Sequence, residues 1–228
     1  MRNDSVGRIF SHNELYFASP EKFNDPFDCK NNVSVKGVTR EDLERHYRNV
    51  YKARQPSIPE PAFVDKQVEL ALRDPNFQEK INNAGSAANE ESKKLGILCL
   101  SKPHRDILLW SHYANKHQGI ALQFDEDGLS KWISESHGWL EKVDYKDNMP
   151  TLKELNMARY ELLKPESNPL EIAKLLVLRK ATHWEYEGEY RAIMFPENKD
   201  QITYGYYNFP SEIFTGVILE SIPIFVEI

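Results

Sequence analysis

Between residues 39 and 95 the chain changes period. Ahead of that block, "ELYFASP" alternates apolar and polar residues, placing Leu15 and Phe17 on one face of a strand and Tyr16 on the other. Inside the block, "TREDLERHYRNVYKAR" opens on Thr39 as an N-cap with acidic residues in its first turn, which predicts a helix. Pro56, Pro59 and Pro61 interrupt the chain, and "AFVDKQVELALRD" resumes a helical pattern with Phe63, Val64, Val68, Leu70 and Leu72. The polar "PNFQEKINNAGSAANEESKKL" reads as a loosely packed helix or a helix pair. After Gly96 short apolar runs return. "ILCLS" has the texture of a buried strand, "RDILLWSHYANKH" that of a helix, and "GIALQF" that of a second strand.

Further on, "DEDGLSKWISESHG" predicts a short helix that Gly138 stops, followed by a strand in "WLEKVDY". "TLKELNMARYELLK" and "NPLEIAKLLVLRKATHW" predict two more helices. The last third is strand-rich, with "EYRAIMF", "QITYGYYNF", "TGVILE" and "IPIFVEI". A strand, a helical block, a mixed middle and a strand-rich end predict one α+β domain over residues 1–228. Its sheet is expected to be mixed or antiparallel, with a helical insertion at about 39–95.

Composition narrows the function classes. With 40% apolar and 28% charged residues, the chain has ordinary material for a core. Its longest apolar clusters are too short to span a bilayer, and no basic segment precedes an apolar one at the amino terminus, so neither membrane nor secretory signal is expected. Cys29 and Cys99 form neither a disulfide framework nor a metal-type spacing and fit a reducing cytoplasm. The net charge of −6 argues against broad phosphate-backbone binding, for which Lys22, Lys30, Lys36 and Lys116 offer only scattered cations.

Three islands are dense in aromatic and polar residues. In "LYFASPEKFNDPFDCK", Asn24-Asp25-Pro26 predicts an Asx turn pinned by Phe23 and Phe27; the functional alternative is a rigid loop aiming Asp25 or Asp28 into a cleft. In "WSHYANKHQGIALQF", Ile107, Trp110, Ala114 and His117 fall on one helical stripe, and Trp110, Tyr113 and His117 share a face. His112 and His117 would diverge by about 140° on that helix, a poor zinc pair, so no metal site is expected. Trp110 reads as core. Each histidine is open to a structural role or to acid/base or ligand-contact work. In "KATHWEYEGEYRAIMF", Lys180 and Trp184 stand four apart at a helix end. Glu185, Glu187, Glu189 and Arg191 occupy alternate positions and would share one face if the segment is extended. Charge runs are usually solvated, yet Trp184, Tyr186, Tyr190, Ile193 and Phe195 surround this one. That makes it the strongest candidate site, with one carboxylate raised in pKa unless Arg191 or Lys180 compensates.

No P-loop, GxGxxG, GxSxG, HExxH or CxxC pattern occurs, which removes most support for redox, P-loop and zinc-hydrolase chemistry. The ordered set NDPFD, WSHYAxxHxG and WxxExEYR resembles the bacterial and archaeal family known as domain of unknown function 2971. The resemblance covers the chain outside residues 39–95 and implies a cytoplasmic, prokaryotic protein without an established reaction. Members of that family usually open with a strand containing Lys-Tyr, which the start "MRNDSVGRIFSHNELYF" is expected to lack.

A fold-level analogy to mono-ADP-ribosyltransferases would make NAD the substrate. Glu189 would be the catalytic carboxylate, Glu187 its assistant, and Tyr16 or Tyr113 the stacking partner of the nicotinamide. Two readings follow. An enzyme acting on a nucleotide-like substrate would use Glu189, Arg191 as partner or anion clamp, and His112 as acid/base. Around an open pocket it would add Asn24, Asp25, Asp28, Trp110, Tyr113, His117, Lys180 and Trp184. A non-catalytic binding protein, with a protein partner and a role in phage defence or a toxin system, would instead keep these groups buried and mutually paired, Arg191 with Asp25 or Asp28.

Overall fold

The computed structural model describes residues 5–25, 28–29, 39–54, 56–102, 105–148, 176–198 and 201–219. In chain order the helices are α1 (Ser5–His12), α2 (Arg40–Arg54), α3 (Glu60–Arg73), α4 (Phe77–Ser92), α5 (Ile107–Tyr113) and α6 (Glu126–Glu135). The strands are β1 (Glu14–Phe17), β2 (Gly96–Ser101), β3 (Ile120–Phe124), β4 (Gly138–Lys142), β5 (Asp144–Tyr145), β6 (Arg179–Lys180), β7 (Glu189–Met194), β8 (Gly205–Asn208) and β9 (Phe214–Leu219). Helices and antiparallel strand pairs make this an α+β fold. The chain divides into two compact units, Met1–Lys22 with Lys94–Tyr145 and Ala181–Ile228, and Phe23–Lys93 with Lys146–Lys180.

In the first unit, β1 pairs with β8, β3 with β9, and β7 lies between β2 and β4. A bridge between Ala18 and Ile97 ties the end of β1 to β2. The alternation in β1 holds: Leu15 and Phe17 are buried, while Tyr16 faces away from them. Phe17 joins Leu129, Trp132 and Ile133 of α6, Ala192 and Met194 of β7, and Phe209 and Ile213 in one apolar core. Asp125 caps α6 by accepting the Gly128 N–H at 2.7 Å. "ILCLS" is buried only at its start; Cys99 is exposed, and Leu98 and Leu100 pack one face onto the core.

The second unit holds α2, α3 and α4, which fall within residues 39–95, α4 being one helix rather than a pair. Thr39 and Asp42 cap α2 reciprocally: the Asp42 N–H donates to Thr39 Oγ1 at 3.2 Å, and the Thr39 N–H donates to Asp42 Oδ2 at 3.1 Å. Helices α2 and α3 pack together, with a Tyr51–Phe63 ring contact at 5.7 Å and an Arg40–Glu69 ion pair at 2.7 Å between them. Burial pushes the Tyr47 hydroxyl on α2 up to about 12.

Three local expectations are corrected. Helix α5 ends at Tyr113, and Asn115, Lys116 and His117 take φ of 47°, 55° and 67°, so His117 leaves the stripe that holds Trp110. Ile107 on the same stripe is exposed. Helix α6 is stopped by His137 at φ 57°, whereas Gly138 begins β4, where an added Cβ would stand 2.8 Å from Ile133 Cγ2 and 2.9 Å from Met194 Sδ. The glycine there answers to close packing, not to a turn. The helix expected to run through Trp184 gives way to β6 and a 3-10 helix, Thr182–Glu187, in a "THWEY" run of weak helix formers. "TLKELNMARYELLK", most of the helix that follows it, and "IPIFVEI" lie outside the described residues.

Gly96 opens β2 with its N–H on Thr203 Oγ1 at 2.9 Å, and a Cβ there would meet the Thr203 carbonyl oxygen at 2.1 Å. Gly96→Ala should therefore lower unfolding free energy by about 1–3 kcal/mol. A lower urea midpoint at unchanged m-value checks this.

Candidate functional site

The charged run of "EYEGEYR" is divided by Gly188. Its φ of 50° takes the chain out of the 3-10 helix and into β7, a turn that glycine makes at least cost. Glu189 and Arg191, two residues apart in β7, therefore share a face. Arg191 Nε donates to Glu189 Oε1 at 2.7 Å, with the two residues 0% and 3% exposed. Arg191 stands opposite Cys99 on β2 and Glu141 on β4. The backbone of Glu189 is held as firmly: its N–H donates to Tyr145 Oη at 2.8 Å, and its carbonyl accepts the Val143 N–H at 3.0 Å.

Glu187 lies on the other side of the glycine turn and is also buried, at 3% exposure. Its Oε1 accepts the hydroxyl of Tyr113 at 2.7 Å, although Tyr113 itself is 54% exposed. Ser101 Oγ donates to the Glu187 carbonyl. Tyr113 is the last residue of α5, a helix started by Asp106, whose carboxylate accepts the N–H groups of Leu108 at 2.8 Å and Leu109 at 3.2 Å. The exposed His112 meets the edge of Trp184 at 6.1 Å between ring centroids, and Trp184 meets Tyr186 at the same distance. Trp110 is buried, and its carbonyl accepts the Ala114 N–H at 3.1 Å and the His117 N–H at 3.3 Å. His117 is thus half-buried at the end of three consecutive left-handed residues, a conformation few non-glycine residues adopt.

In the second unit the Asp25 N–H donates to Asn24 Oδ1 at 3.0 Å, and the turn is closed through the backbone, from the Asp28 N–H to the Asp25 carbonyl at 3.2 Å. Asn24 is exposed and Asp25 half-buried, whereas Asp28 is buried with Cys29. Pro26 and Phe27 are outside the described residues. Cys29 takes φ 59° and its thiol donates to Asp28 Oδ1 at 3.3 Å. Lys180 Nζ is 4.0 Å from Asp28 Oδ2, both side chains being buried. Next to it in β6, Arg179 Nη1 donates to the Asn148 carbonyl at 2.9 Å.

Four sets of expected residues are in contact: Glu189 with Arg191, Glu187 with Tyr113, His112 with Trp184, and Asp28 with Lys180. Tyr145 and Ser101 hold these groups from 44 and 86 residues away and were not singled out by sequence, since local spacing does not reveal such partners, whereas Cys29 holds its own neighbour Asp28. Among the described residues, no three or more His, Cys, Asp and Glu side chains gather as metal ligands would, and no helix is long and apolar enough to cross a membrane.

The fold and these contacts define an α+β protein with a carboxylate–guanidinium pair inside its central antiparallel strand. The sequence model of the family described as protein of unknown function (DUF2971) matches residues 109–192, from α5 into β7, and the chain resembles that family over this span. No curated protein and no solved structure matches the chain.

Two tyrosines separate by environment. Tyr145→Phe takes the acceptor from the Glu189 N–H and should cost about 1–2 kcal/mol, whereas Tyr113→Phe takes a donor from the buried Glu187 carboxylate and should cost more, about 2–3 kcal/mol. Paired urea titrations check the order.

Proposed function

We propose that this protein acts by binding, and that Glu189 and Arg191 form an internal pair that holds the binding framework without taking part in chemistry. The observation that carries this reading is the 2.7 Å contact between two side chains that are almost wholly removed from solvent. A transferase of the ADP-ribosyl type would need a carboxylate whose negative charge is available to a developing oxocarbenium ion. A guanidinium hydrogen-bonded to that carboxylate cancels much of its field at short range and opposes a second cation beside it. The same contact suits a framework role, because a buried ion pair fixes the register of the strand that carries it.

Two measurements on the same pair of proteins test this. Glu189→Gln preserves the shape of the side chain but removes the carboxylate charge beside the buried Arg191 guanidinium, and should lose about 3–5 kcal/mol of unfolding free energy. Neither wild type nor variant should release nicotinamide from NAD. A variant as stable as wild type, together with nicotinamide release that only the wild type supports, would replace the binding reading with the enzymatic one.

A further inference from the structure

The β1–β8 ribbon of the first unit has an inward and an outward face. Leu15, Phe17 and Tyr207 pack into or against the core. On the opposite face Tyr16 and Tyr206 stand directly across from each other, with ring centroids 4.9 Å apart. The Arg8 guanidinium lies 4.1 Å over the Tyr206 ring. At the other end Lys22 Nζ donates to Tyr16 Oη at 3.0 Å and sits 5.6 Å and 5.7 Å from the ring centroids of Tyr16 and Tyr204. A continuous row results: Arg8, Tyr206, Tyr16, Lys22, Tyr204.

The two cations differ. Arg8 is already paired with Glu14, Nε to Oε2 at 2.7 Å. Lys22 is exposed, and among the described residues its ammonium pairs with no carboxylate; its contacts are tyrosine rings and one hydroxyl. The Tyr16 hydroxyl holds its ammonium above the usual lysine range.

We propose that this row is a binding site for single-stranded nucleic acid, with a base stacked on the Tyr16–Tyr206 platform and a backbone phosphate on Lys22. A base supplies the π-face that a partly exposed tyrosine pair accepts whatever the sequence, and the phosphate supplies the charge that Lys22 lacks. Arg8, its charge met by Glu14, extends the row as a planar group over the far ring. A duplex buries its base faces in its own stack and gives the tyrosines nothing to stack on. This site goes beyond the framework reading above and shares no residue with the Glu189–Arg191 pair, so either can fail without the other.

The test is fluorescence polarisation of a labelled oligothymidine of about 12 nucleotides against the whole chain, within the usual site sizes of single-strand binders. Saturable binding is expected, weakened about tenfold by Tyr206→Ala and by Lys22→Ala and retained by Tyr206→Phe, which keeps the ring. With one or two phosphates engaged, log K should fall with log salt at a slope of about −0.7 to −1.4. Lys22 is exposed, so Lys22→Ala keeps the test decisive if the Tyr206→Ala chain does not fold. No polarisation change, equal binding by wild type and Lys22→Ala, or equal competition by thymidine monophosphate or by duplex DNA would each overturn the proposal.

Discussion

The contact between Arg191 and Glu189 sets the terms for the first unit, because both residues belong to β7, the strand that bonds to β2 on one side and β4 on the other. Removing two charges from water carries a penalty of several kcal/mol per ion, and their attraction repays it only when geometry and neighbouring hydrogen bonds are good. Here the geometry includes a 2.7 Å bond within one strand, so that contact forms wherever β7 is extended. What depends on the rest of the fold is its burial. The Glu189 backbone is bonded to Val143 and to the Tyr145 hydroxyl, so the strand cannot slide by one residue without exchanging its charged face for Tyr190, Ala192 and Met194. Ala192 and Met194 belong to the apolar core. A slip would put Arg191 into that core, and this penalty specifies the register more sharply than the apolar side chains could alone.

The glycine turn before β7 explains why two neighbouring glutamates have different surroundings. Had "EYEGEYR" been extended throughout, Glu187 and Glu189 would have shared a face and repelled each other. Gly188 at φ 50° breaks that alignment and sends Glu187 to the hydroxyl of Tyr113 while Glu189 meets Arg191. One carboxylate is joined to a cation, the other to a neutral donor on a half-exposed ring. The order of Glu, Gly and Glu thus divides the charges between two environments, which a run of the same composition without the glycine would not do.

Much of this was legible in the sequence wherever one local signal decided the outcome. The alternation of "ELYF" placed Leu15 and Phe17 inward, Thr39 with Asp42 marked the start of α2, and the two-residue spacing of Glu189 and Arg191 put them on one face. The misses have a common cause. Helical periodicity through "WSHYANKH" ignores the backbone closing at Ala114, whose carbonyl accepts the N–H groups of Gln118 at 2.9 Å and Gly119 at 2.7 Å once the three residues before Gln118 turn left-handed. Gly138 looked like a helix stop, yet its lack of a side chain serves Met194, a residue more than fifty positions later. Tyr113 and Glu187 are 74 residues apart, and Tyr145 lies 44 from Glu189. Periodicity reports which face a residue takes, and nothing in it reports which distant group will meet that face.

The same limit applies to charge. A net charge of −6 describes the chain seen from far away, where all of its charges add. At physiological ionic strength a charge is screened beyond about 8 Å, so a ligand resting on a surface responds chiefly to the few groups within that reach. Lys22 lies within 6 Å of two tyrosine rings, and one of those rings is 4.9 Å from Tyr206. In sequence these residues stand at 16, 22, 204 and 206, and no window along the chain shows them as a basic or aromatic stripe. The antiparallel pairing of β1 with β8 creates the row, by bringing residues from the two ends of the chain into direct register. Whole-chain acidity therefore sets how weakly distant phosphates are held. It does not set the sign of the local surface that a short single strand would meet.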